Sequence, residues 1–330
     1  MNTFGESVKI TVFGESHGAA LGVVLDGAEA GFVLDFEHIA RELARRAPGT
    51  SELATPRREA DSPEFLSGIL NGVTTGAPIC AIIRNSDTRS RDYTPNTPRP
   101  SHTDLTAHLK YHGFSDYRGG GHFSGRLTAA FVLVGAICKQ MLERSGIGVT
   151  ARIIQVGNAH GDTLDEAMRG EIRSAKAAGD SVGAVIECVA TGVPGGIGGL
   201  MFGGMESRMA AMLYAVPGVK GVEFGAGFAL AAMRGSTAND PIRADNGRIY
   251  TETNHAGGLN GGITNGMPIV ARVALRPTPS IASPQKTVDL ETGDNITMTV
   301  AGRHDPCLAP RALPVIEACL AFCILDAVKG

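Results

Sequence analysis

Short apolar runs recur along the chain and are separated by polar or glycine-containing turns. Runs that are bounded in this way and rich in branched aliphatic residues favour β-strands. Few of the connections between them have the length and period of a crossover helix, which favours antiparallel pairing. The runs that predict strands span 8–13, 21–25, 79–83, 149–156, 182–190, 222–233, 268–275 and 296–300.

Two segments have the pattern of an amphipathic helix. In 36–46 apolar residues recur at positions i, i+3, i+4, i+7 and i+8. Asp35 precedes this segment as a candidate N-cap, and Pro48-Gly49 closes it. The charged residues of 164–178 predict a second amphipathic helix, which lies on the surface.

Two further segments, 126–144 and 312–328, are long enough for helices and apolar on nearly every face in their central turns. A helix that is hydrophobic all round belongs in the interior, covered on both sides. Together with the many strands, these segments predict an α+β sandwich, in which buried helices lie between two largely antiparallel sheets. We expect residues 1–330 to form a single domain.

Three long stretches, at about 45–64, 84–123 and 234–265, have no hydrophobic period. Ordered loops longer than about 12–15 residues are uncommon unless they are functional. These stretches contain Arg, His, Asp and Gly instead of the Ser, Gln, Glu and Lys mixture of disordered segments. We therefore expect them to build the functional site.

Basic residues concentrate in these stretches, although 30 Lys and Arg against 33 Asp and Glu give the whole chain a formal net charge of −3. That balance argues against nucleic-acid and membrane-surface binding, whereas local arginine clusters suit a small polyanion with carboxylates and phosphates. Solvated surface arginines are the alternative for either group. One group comprises Arg84, Arg89, Arg91, Arg99, Lys110, Arg118 and Arg126, with His102, His108, His112 and His122; the other comprises Arg41, Arg45, Arg46, Arg57 and Arg58.

A glycine run, Gly119-Gly120-Gly121, leads directly into the first apolar helix. Glycines let the backbone approach a ligand closely, and a helix N-terminus offers N–H groups to an anion. The run is not a dinucleotide fingerprint, because Ser124 stands where its third glycine would be, and the chain has no Gly-Lys dipeptide for a P-loop. The run therefore predicts a phosphate or flavin site without indicating the reaction.

The second apolar helix follows the polar triplet Arg303-His304-Asp305, which suits an ionised carboxylate ready to act as a base; a capping turn is the alternative. His17 lies in a tight turn, where a surface role competes with a catalytic one. His108 and His112 have the i, i+4 spacing of zinc ligands, a pattern weakened by Tyr111-His112-Gly113. No metal site is predicted.

The six cysteines form no C-x-x-C pair, and we expect them to be reduced core residues. The N-terminus has no leader pattern. The longest apolar run, 129–138, is shorter than the ~20 residues that a membrane span needs. These features predict a soluble cytoplasmic protein.

Six motifs resemble those of the chorismate synthase family in order and spacing, and the resemblance covers essentially the whole chain. They are GESHG (14–18), RPSHTD (99–104), YRGGGHFSGR (117–126), NHAGG (254–258), RPTPSI (276–281) and GRHDPC (302–307). The resemblance implies a lyase that uses reduced FMN. Its substrate, 5-enolpyruvylshikimate 3-phosphate, loses phosphate and a C6 hydrogen in an anti 1,4-elimination that gives chorismate.

The resemblance also implies a role for individual residues. His17 resembles the acid that protonates the departing phosphate, His102 the residue that governs protonation of the reduced flavin, and Asp305 the aspartate that takes the N5 proton. Ser16 and Ser124 resemble relay hydroxyls. The substrate-binding positions are Arg46, Arg99, Arg126 and Arg303. The FMN-binding positions are His122, Phe123, Ser124, Gly261, Arg276, Pro277, Thr278, Pro279, Ser280 and Arg303.

The chain departs from the family pattern GGGRSSARET, because His122, Phe123, Gly125 and Leu127 replace Arg, Ser, Ala and Glu. Ala47 and Glu52 also stand where the family has arginine. A working enzyme with His122 in place of Arg is the favoured hypothesis. The alternatives are a flavin- and polyanion-binding homologue without catalysis, and a metal-dependent phosphohydrolase using His102, His108 and His112. The family further implies a homotetramer, and no fingerprint decides whether NADPH reduces the flavin.

Overall fold

The computed structural model describes residues 1–49, 61–86, 93–300 and 304–330. The helices are α1 (Phe36–Arg46), α2 (Asp104–Tyr111), α3 (Thr128–Glu143), α4 (Glu166–Ala177), α5 (Met205–Tyr214), α6 (Gly235–Ala238) and α7 (Ala309–Lys329). Short 3-10 helices span Arg118–Phe123, Gly125–Leu127, Met201–Gly203 and Gly227–Ala232.

The strands of the described residues form two five-stranded sheets and four two-stranded hairpins. They are β1 (Thr3–Phe4), β2 (Lys9–Gly14), β3 (Ala20–Asp26), β4 (Pro63–Ser67), β5 (Ile69–Leu70), β6 (Val73–Thr74), β7 (Ile79–Arg84), β8 (Gly148–Val156), β9 (Ala159–His160), β10 (Ala184–Thr191), β11 (Val219–Phe224), β12 (Ile242–Asp245), β13 (Arg248–Thr251), β14 (Leu259–Asn260), β15 (Ile263–Thr264), β16 (Ile269–Leu275), β17 (Gln285–Val288) and β18 (Asn295–Met298).

Both five-stranded sheets are antiparallel throughout. The first has the order β1-β2-β3-β7-β4, and the second has the order β11-β16-β10-β8-β9. In β16 and β10 fully buried residues alternate with half-buried ones, because successive side chains point to opposite faces. Each sheet therefore presents one continuous apolar face to the core.

The core lies between the two sheets and contains α3 and α7. Helix α3 packs on β3 of the first sheet, α7 packs on β8 and β10 of the second, and α1 contacts both helices. A Cβ atom at Gly135 would lie 2.1 Å from the Cβ of Ala318, so the two helices cross closely only because position 135 is glycine. The predicted α+β sandwich is confirmed. Residues 125–143, which include α3, are long and apolar enough to cross a membrane, but 89% of the most apolar 18-residue window in this stretch is buried inside the fold.

A buried ionic cluster joins the three central helices. Lys139 on α3 donates to Glu42 of α1 at 2.6 Å and to Glu317 of α7, and Arg45 donates to the same two carboxylates at 2.7 Å. Burial raises the pKa of Glu42, but the hydrogen bonds and charges of Lys139 and Arg45 outweigh it and lower that pKa. The cluster thus pairs two carboxylates with two cationic side chains where the three helices meet.

Most predicted elements are confirmed within two or three residues at each end. Helix α1 begins after Asp35, whose Oδ1 accepts from the backbone N–H of His38 at 2.9 Å, as an N-cap does. The strand predicted over 222–233 is wrong after its first three residues: β11 spans Val219–Phe224, and Gly225 and Gly227 adopt φ values of +56° and +52° where the chain turns into a 3-10 helix. The stretches 84–123 and 234–265 also contain helices or hairpins that hydrophobic period does not mark.

All six cysteines are free, and every one except the half-buried Cys80 lies in the interior. Burial raises the pKa of the thiols of Cys138 and Cys307, to about 12 and about 11 respectively. Thiols with such pKa values are inert at neutral pH. The prediction of reduced core cysteines is confirmed for the five interior cysteines, whereas Cys80 is free but only half-buried.

Candidate active site

A cavity of about 900 Å³ lies at the N-terminal ends of α3 and α7. Its wall is built from the ends of α1, α3 and α7 and from the segments 98–106, 119–126, 214–220, 276–280 and 286–288. The volume is at the upper end of the ~300–1,000 Å³ that is typical of ligand sites, and suits a cofactor and a substrate together. The first turns of both helices border this space, and the positive ends of their dipoles favour an anion there.

The wall is strongly basic. Of the wall residues that the structure describes, only Asp305 carries a negative charge. An arrangement in which cations so outnumber anions has a positive potential that an anionic ligand would neutralise. The cationic side chains of the wall are Arg46, Arg99, Arg126, Lys220, Arg276, Lys286 and Arg311.

Arg46 and Arg126 share one buried carboxylate, that of Asp61. Arg46 Nη1 donates to Asp61 Oδ2 at 2.8 Å, and Arg126 Nη1 donates to Asp61 Oδ1. All three side chains are at least 97% shielded from solvent. Burial, together with the charges of Arg311 and Arg126, lowers the pKa of Arg46 to about 10 despite Asp61. One carboxylate between two guanidinium groups leaves a net positive charge for a ligand.

A second cluster surrounds His102, just before α2. Asp104 Oδ1 accepts from His102 Nδ1 at 2.6 Å, and both oxygens of Asp104 accept from the Arg99 guanidinium, at 2.7 and 2.9 Å. Arg99 Nη1 also donates to Ser280 Oγ at 3.1 Å. The segments that contain the motifs RPSHTD and RPTPSI are thereby joined at the cavity wall.

Asp305 is held from two sides at the start of α7. Arg311 Nη1 donates to its carboxylate, and Thr278 Oγ1 donates to its backbone carbonyl at 2.8 Å. Arg311 Nε donates to the carbonyl of Arg46 at 3.1 Å, so the same side chain ties α7 to the end of α1. This arrangement fixes the single wall carboxylate beside the arginine cluster.

The glycine run lies between two histidines. A Cβ atom at Gly119 would lie 2.6 Å from Nε2 of His17, and one at Gly120 would lie 3.0 Å from Cε1 of His102. All three glycines have positive φ, and the Gly121 carbonyl accepts from the backbone N–H of Ser16 at 3.0 Å. The run therefore leaves the space beside both imidazoles that side chains would otherwise fill.

A family model described as chorismate synthase matches residues 8–328 of the 330-residue chain. The chain belongs to the chorismate synthase family. The resemblance seen in the motifs is confirmed, as is the predicted enzyme class, a carbon–oxygen lyase that acts on a phosphate.

Relatives in this family match the chain nearly end to end. The chorismate synthase of Korarchaeum cryptofilum is 47% identical over 346 residues, which cover 98% of this chain and 96% of that protein. The chorismate synthase of Thermococcus gammatolerans is 46% identical over 342 residues, with the same coverage. A solved crystal structure of chorismate synthase has a TM-score of 0.76 and 29% identity, and covers 98% of this chain and 92% of that one.

The structure brings together most of the residues that the chorismate synthase motifs single out. In or directly behind the wall lie Ser16, His17, Arg46, Arg99, His102, Phe123, Ser124, Arg126, Arg276, Thr278, Pro279, Ser280 and Asp305. His17 lies behind Gly119 and packs edge-on against Tyr93, with ring centroids 5.3 Å apart. The predicted substrate- and FMN-binding Arg303 lies outside the described residues.

Three predicted FMN-binding residues lie elsewhere. His122 turns away from the cavity: its Nδ1 donates to the Gly14 carbonyl at 2.7 Å, and its Nε2 lies 3.3 Å from Asn2 Oδ1. Gly261 lies in the turn between β14 and β15, and Ile263 of β15 forms an isolated β-bridge with Gly198. Pro277 is outside the wall, although both of its neighbours contribute to it.

The two basic groups of the sequence separate into site residues and surface residues. Arg84 pairs with the exposed Glu64, Arg118 pairs with Asp116, and Arg41 pairs with Asp35, whereas Lys110 lies over the Tyr111 ring. Arg45 belongs to the buried ionic cluster. Arg57, Arg58, Arg89 and Arg91 lie outside the described residues. The predicted polyanion site therefore rests on Arg46, Arg99 and Arg126. The alternative, a surface arginine, applies to Arg41, Arg84 and Arg118.

Sequence reasoning missed the residues that hold the arginines and histidines in place. Asp104 lies inside the RPSHTD motif, two residues after His102, and its position there was a usable signal. Arg311 directly precedes the helix predicted over 312–328 and lies in the first turn of the observed α7. No sequence pattern points to Asp61, because it lies in a stretch without hydrophobic periodicity, 15 residues after its partner Arg46.

The metal alternative gains no support from the described residues, in which no group of three His, Cys, Asp or Glu side chains is placed to hold a metal ion. His102 already engages Asp104 through Nδ1. His112 ends α2 with a left-handed φ of +53°, so the i, i+4 pair does not continue on a helix face. Asp61 and Asp104 are paired with arginines instead.

Proposed function

We propose that the chain converts 5-enolpyruvylshikimate 3-phosphate to chorismate, in an anti 1,4-elimination of phosphate and a C6 hydrogen, with reduced FMN as its cofactor. The observation that carries the proposal is the single cavity at which seven cationic side chains, the glycine run, His102 and Asp305 converge, with His17 behind Gly119. The reaction is that of the family to which the chain belongs.

The charges of the cavity support the substrate assignment. The substrate has two carboxylates and a phosphate, and FMN adds a further phosphate. Guanidinium groups bind such oxyanions through two parallel N–H donors. Arg46 and Arg126 are buried, share one carboxylate and lie beside Arg311, so positive charges outnumber negative ones at this point. An anionic ligand would balance these charges and bind strongly.

The wall also fits a flavin. Ser16 Oγ is buried and, within the described part of the chain, has no hydrogen-bond partner, which suits a polar ligand edge. The residues that would hold FMN are Phe123, Ser124, Arg276, Thr278, Pro279 and Ser280. Reduced FMN would supply electron density as the phosphate leaves and assist removal of the weakly acidic C6 hydrogen, with no net redox change.

The side chains around the glycine run would handle the protons. His17 would donate a proton to the departing phosphate, which lowers the cost of its negative charge. His102 would hold and exchange a proton at Nε2, because Asp104 engages its Nδ1. Asp305, held by Arg311, would accept a proton, while Ser16 and Ser124 provide hydroxyls for its transfer.

We also propose that the chain works as a cytoplasmic homotetramer. The 3-10 helix Met201–Gly203 exposes three adjacent large apolar residues, Leu200, Met201 and Phe202, by 76%, 84% and 94%. Phe228 is 85% exposed. Apolar exposure of this kind marks contact surfaces, and contact with further copies of the chain would bury these side chains.

Anaerobic turnover with reduced FMN tests the proposed function, and flavin binding is measured on the same sample. The wild-type protein should release chorismate, and His17→Ala should bind flavin but turn over at least tenfold more slowly. Flavin binding without turnover in the wild type would favour the non-catalytic homologue. Unchanged turnover in His17→Ala would contradict the role of His17. Anaerobic titration of the FMN complex with NADPH then decides whether the protein reduces its own flavin.

A further inference from the structure

Asp104 lies between Arg99 and His102 and binds both. Its Oδ1 accepts from His102 Nδ1 at 2.6 Å and from Arg99 Nη2 at 2.9 Å. Its Oδ2 accepts from Arg99 Nε at 2.7 Å and from the backbone N–H of Arg99 at 3.1 Å. Each carboxylate oxygen therefore accepts two hydrogen bonds, and the position of the group is fixed.

Asp104 remains ionised at any pH at which the protein would work. Burial raises its pKa, but the hydrogen bonds from His102 and Arg99 outweigh burial and lower the pKa well below its ordinary value. An ionised carboxylate can only accept hydrogen bonds, and a guanidinium can only donate them. At 2.6 Å from Oδ1, the Nδ1 atom of His102 must therefore be the donor.

Asp104 does not line the main cavity, although both side chains that it binds do. His102 and Arg99 belong to the wall of the 900 Å³ cavity, whereas Asp104 lines an adjoining cavity of about 430 Å³. Arg99 contributes to both walls. Asp104 therefore contacts the main cavity through His102 and Arg99.

We propose that Asp104 is a positioning residue that keeps the proton of neutral His102 on Nδ1, so that Nε2 is the only ring nitrogen that exchanges protons with the cavity. The ring nitrogen that stays bonded to a neighbour determines which nitrogen is available for proton transfer. The position of the ring proton does not depend on the proposed function. The inference rests on that function only in what the proton exchanged at Nε2 does during the reaction.

The substitution Asp104→Asn reverses this preference. Its amide has one oxygen, and the Oδ2 position must accept from two donors of Arg99, the side-chain Nε and the backbone N–H. The amide nitrogen then occupies the Oδ1 position and donates to His102 Nδ1, at the cost of the one hydrogen bond that Oδ1 accepts from Arg99 Nη2. The opposite orientation would cost both hydrogen bonds at Oδ2. Arg99 Nη2, an obligate donor 3.0 Å from Nδ1, favours the same outcome. The ring proton consequently moves to Nε2.

The tautomer can be measured directly by ¹⁵N NMR on labelled protein without cofactor, at a pH where the ring is neutral. His102→Gln identifies the His102 signals by their loss. In the wild type, Nδ1 should resonate as a protonated nitrogen and Nε2 as an unprotonated one. In Asp104→Asn the two should exchange. Asp116→Asn is the matched control, because Asp116 also pairs with an arginine, Arg118, at 2.8 Å; it should leave the His102 signals unchanged.

Two results would overturn the inference. One is a wild-type His102 with its proton on Nε2, a result that does not depend on the folding of Asp104→Asn. The other is an Asp104→Asn protein that retains the proton on Nδ1. A reversed tautomer with unchanged turnover would support the inference and contradict instead the role proposed for His102, so the two failures are distinguishable.

Discussion

Gly119 lies so close to His17 that a Cβ atom at position 119 would be 2.6 Å from Nε2 of the imidazole. Gly119→Ala should therefore displace His17 and reduce kcat at least tenfold. The positive φ of +61° adds about 1–2 kcal/mol of backbone strain. Gly146→Ala separates the two effects, because Gly146 has a φ of +75° and no atom near the added Cβ. Both variants should lose similar stability in urea, and only Gly119→Ala should lose activity; equal kcat values would refute the assignment.

Neutralising Asp61 should destabilise the fold, because it leaves Arg46 and Arg126 buried without their shared carboxylate. We expect Asp61→Asn to lower the free energy of unfolding by about 3–5 kcal/mol. Phosphate should recover more stability in this variant than in the wild type, since it would supply the missing charge. Glu64→Gln is the control, because Glu64 pairs with Arg84 at the surface, and should cost about 1 kcal/mol or less. Similar losses in the two variants would contradict the account.

The Asp104 carboxylate should make stability depend on acid pH. Its pKa in the folded protein is lower than the ordinary 3.8, so ionised Asp104 stabilises the fold above that value, and the contribution is lost as the pH falls toward the lower pKa. Wild type should be more stable than Asp104→Asn at pH 7, and the difference should shrink below about pH 4. Urea denaturation from pH 7 to pH 3 measures it. A difference that stays constant would show that the carboxylate is not the group responsible.

His122 should matter to the turn that contains Ser16 and His17 more than to the flavin. His122→Ala leaves the Gly14 carbonyl without its 2.7 Å donor and should cost about 1 kcal/mol of stability. Its effect on FMN affinity should stay below tenfold, about 1.4 kcal/mol. Arg276→Gln, at the cavity wall, should weaken FMN binding more than tenfold. If His122→Ala has the larger effect on FMN, the ring takes part in cofactor binding.

The sequence was sufficient where local pattern determines the structure. The N-cap Asp35 and the period of 36–46 predicted α1, and all-round hydrophobicity predicted that α3 and α7 are interior. It was insufficient where a contact joins distant residues. Arg45 and Arg46 are adjacent and chemically identical, yet one belongs to a core ionic cluster and the other to the cavity, because their directions on α1 differ by one helical step.

The glycines show the same limit. The glycine run before the first apolar helix predicted that Gly119-Gly120-Gly121 approaches a ligand, but not that a Cβ at Gly121 would lie 2.2 Å from the backbone carbonyl oxygen of Asp116. Substitution there strains the backbone itself, whereas Gly119 and Gly120 face side chains. The pairing of Gly119 with His17 and of Gly120 with His102 is a property of the fold that the sequence pattern does not contain.

The most direct test of the account measures phosphate and chorismate together, under anaerobic conditions, with 5-enolpyruvylshikimate 3-phosphate and either reduced or oxidised FMN. We predict equal amounts of the two products with reduced FMN and neither with oxidised FMN. Phosphate without chorismate would indicate a phosphohydrolase, and flavin binding with no product would indicate a homologue without catalysis; either result would contradict the account.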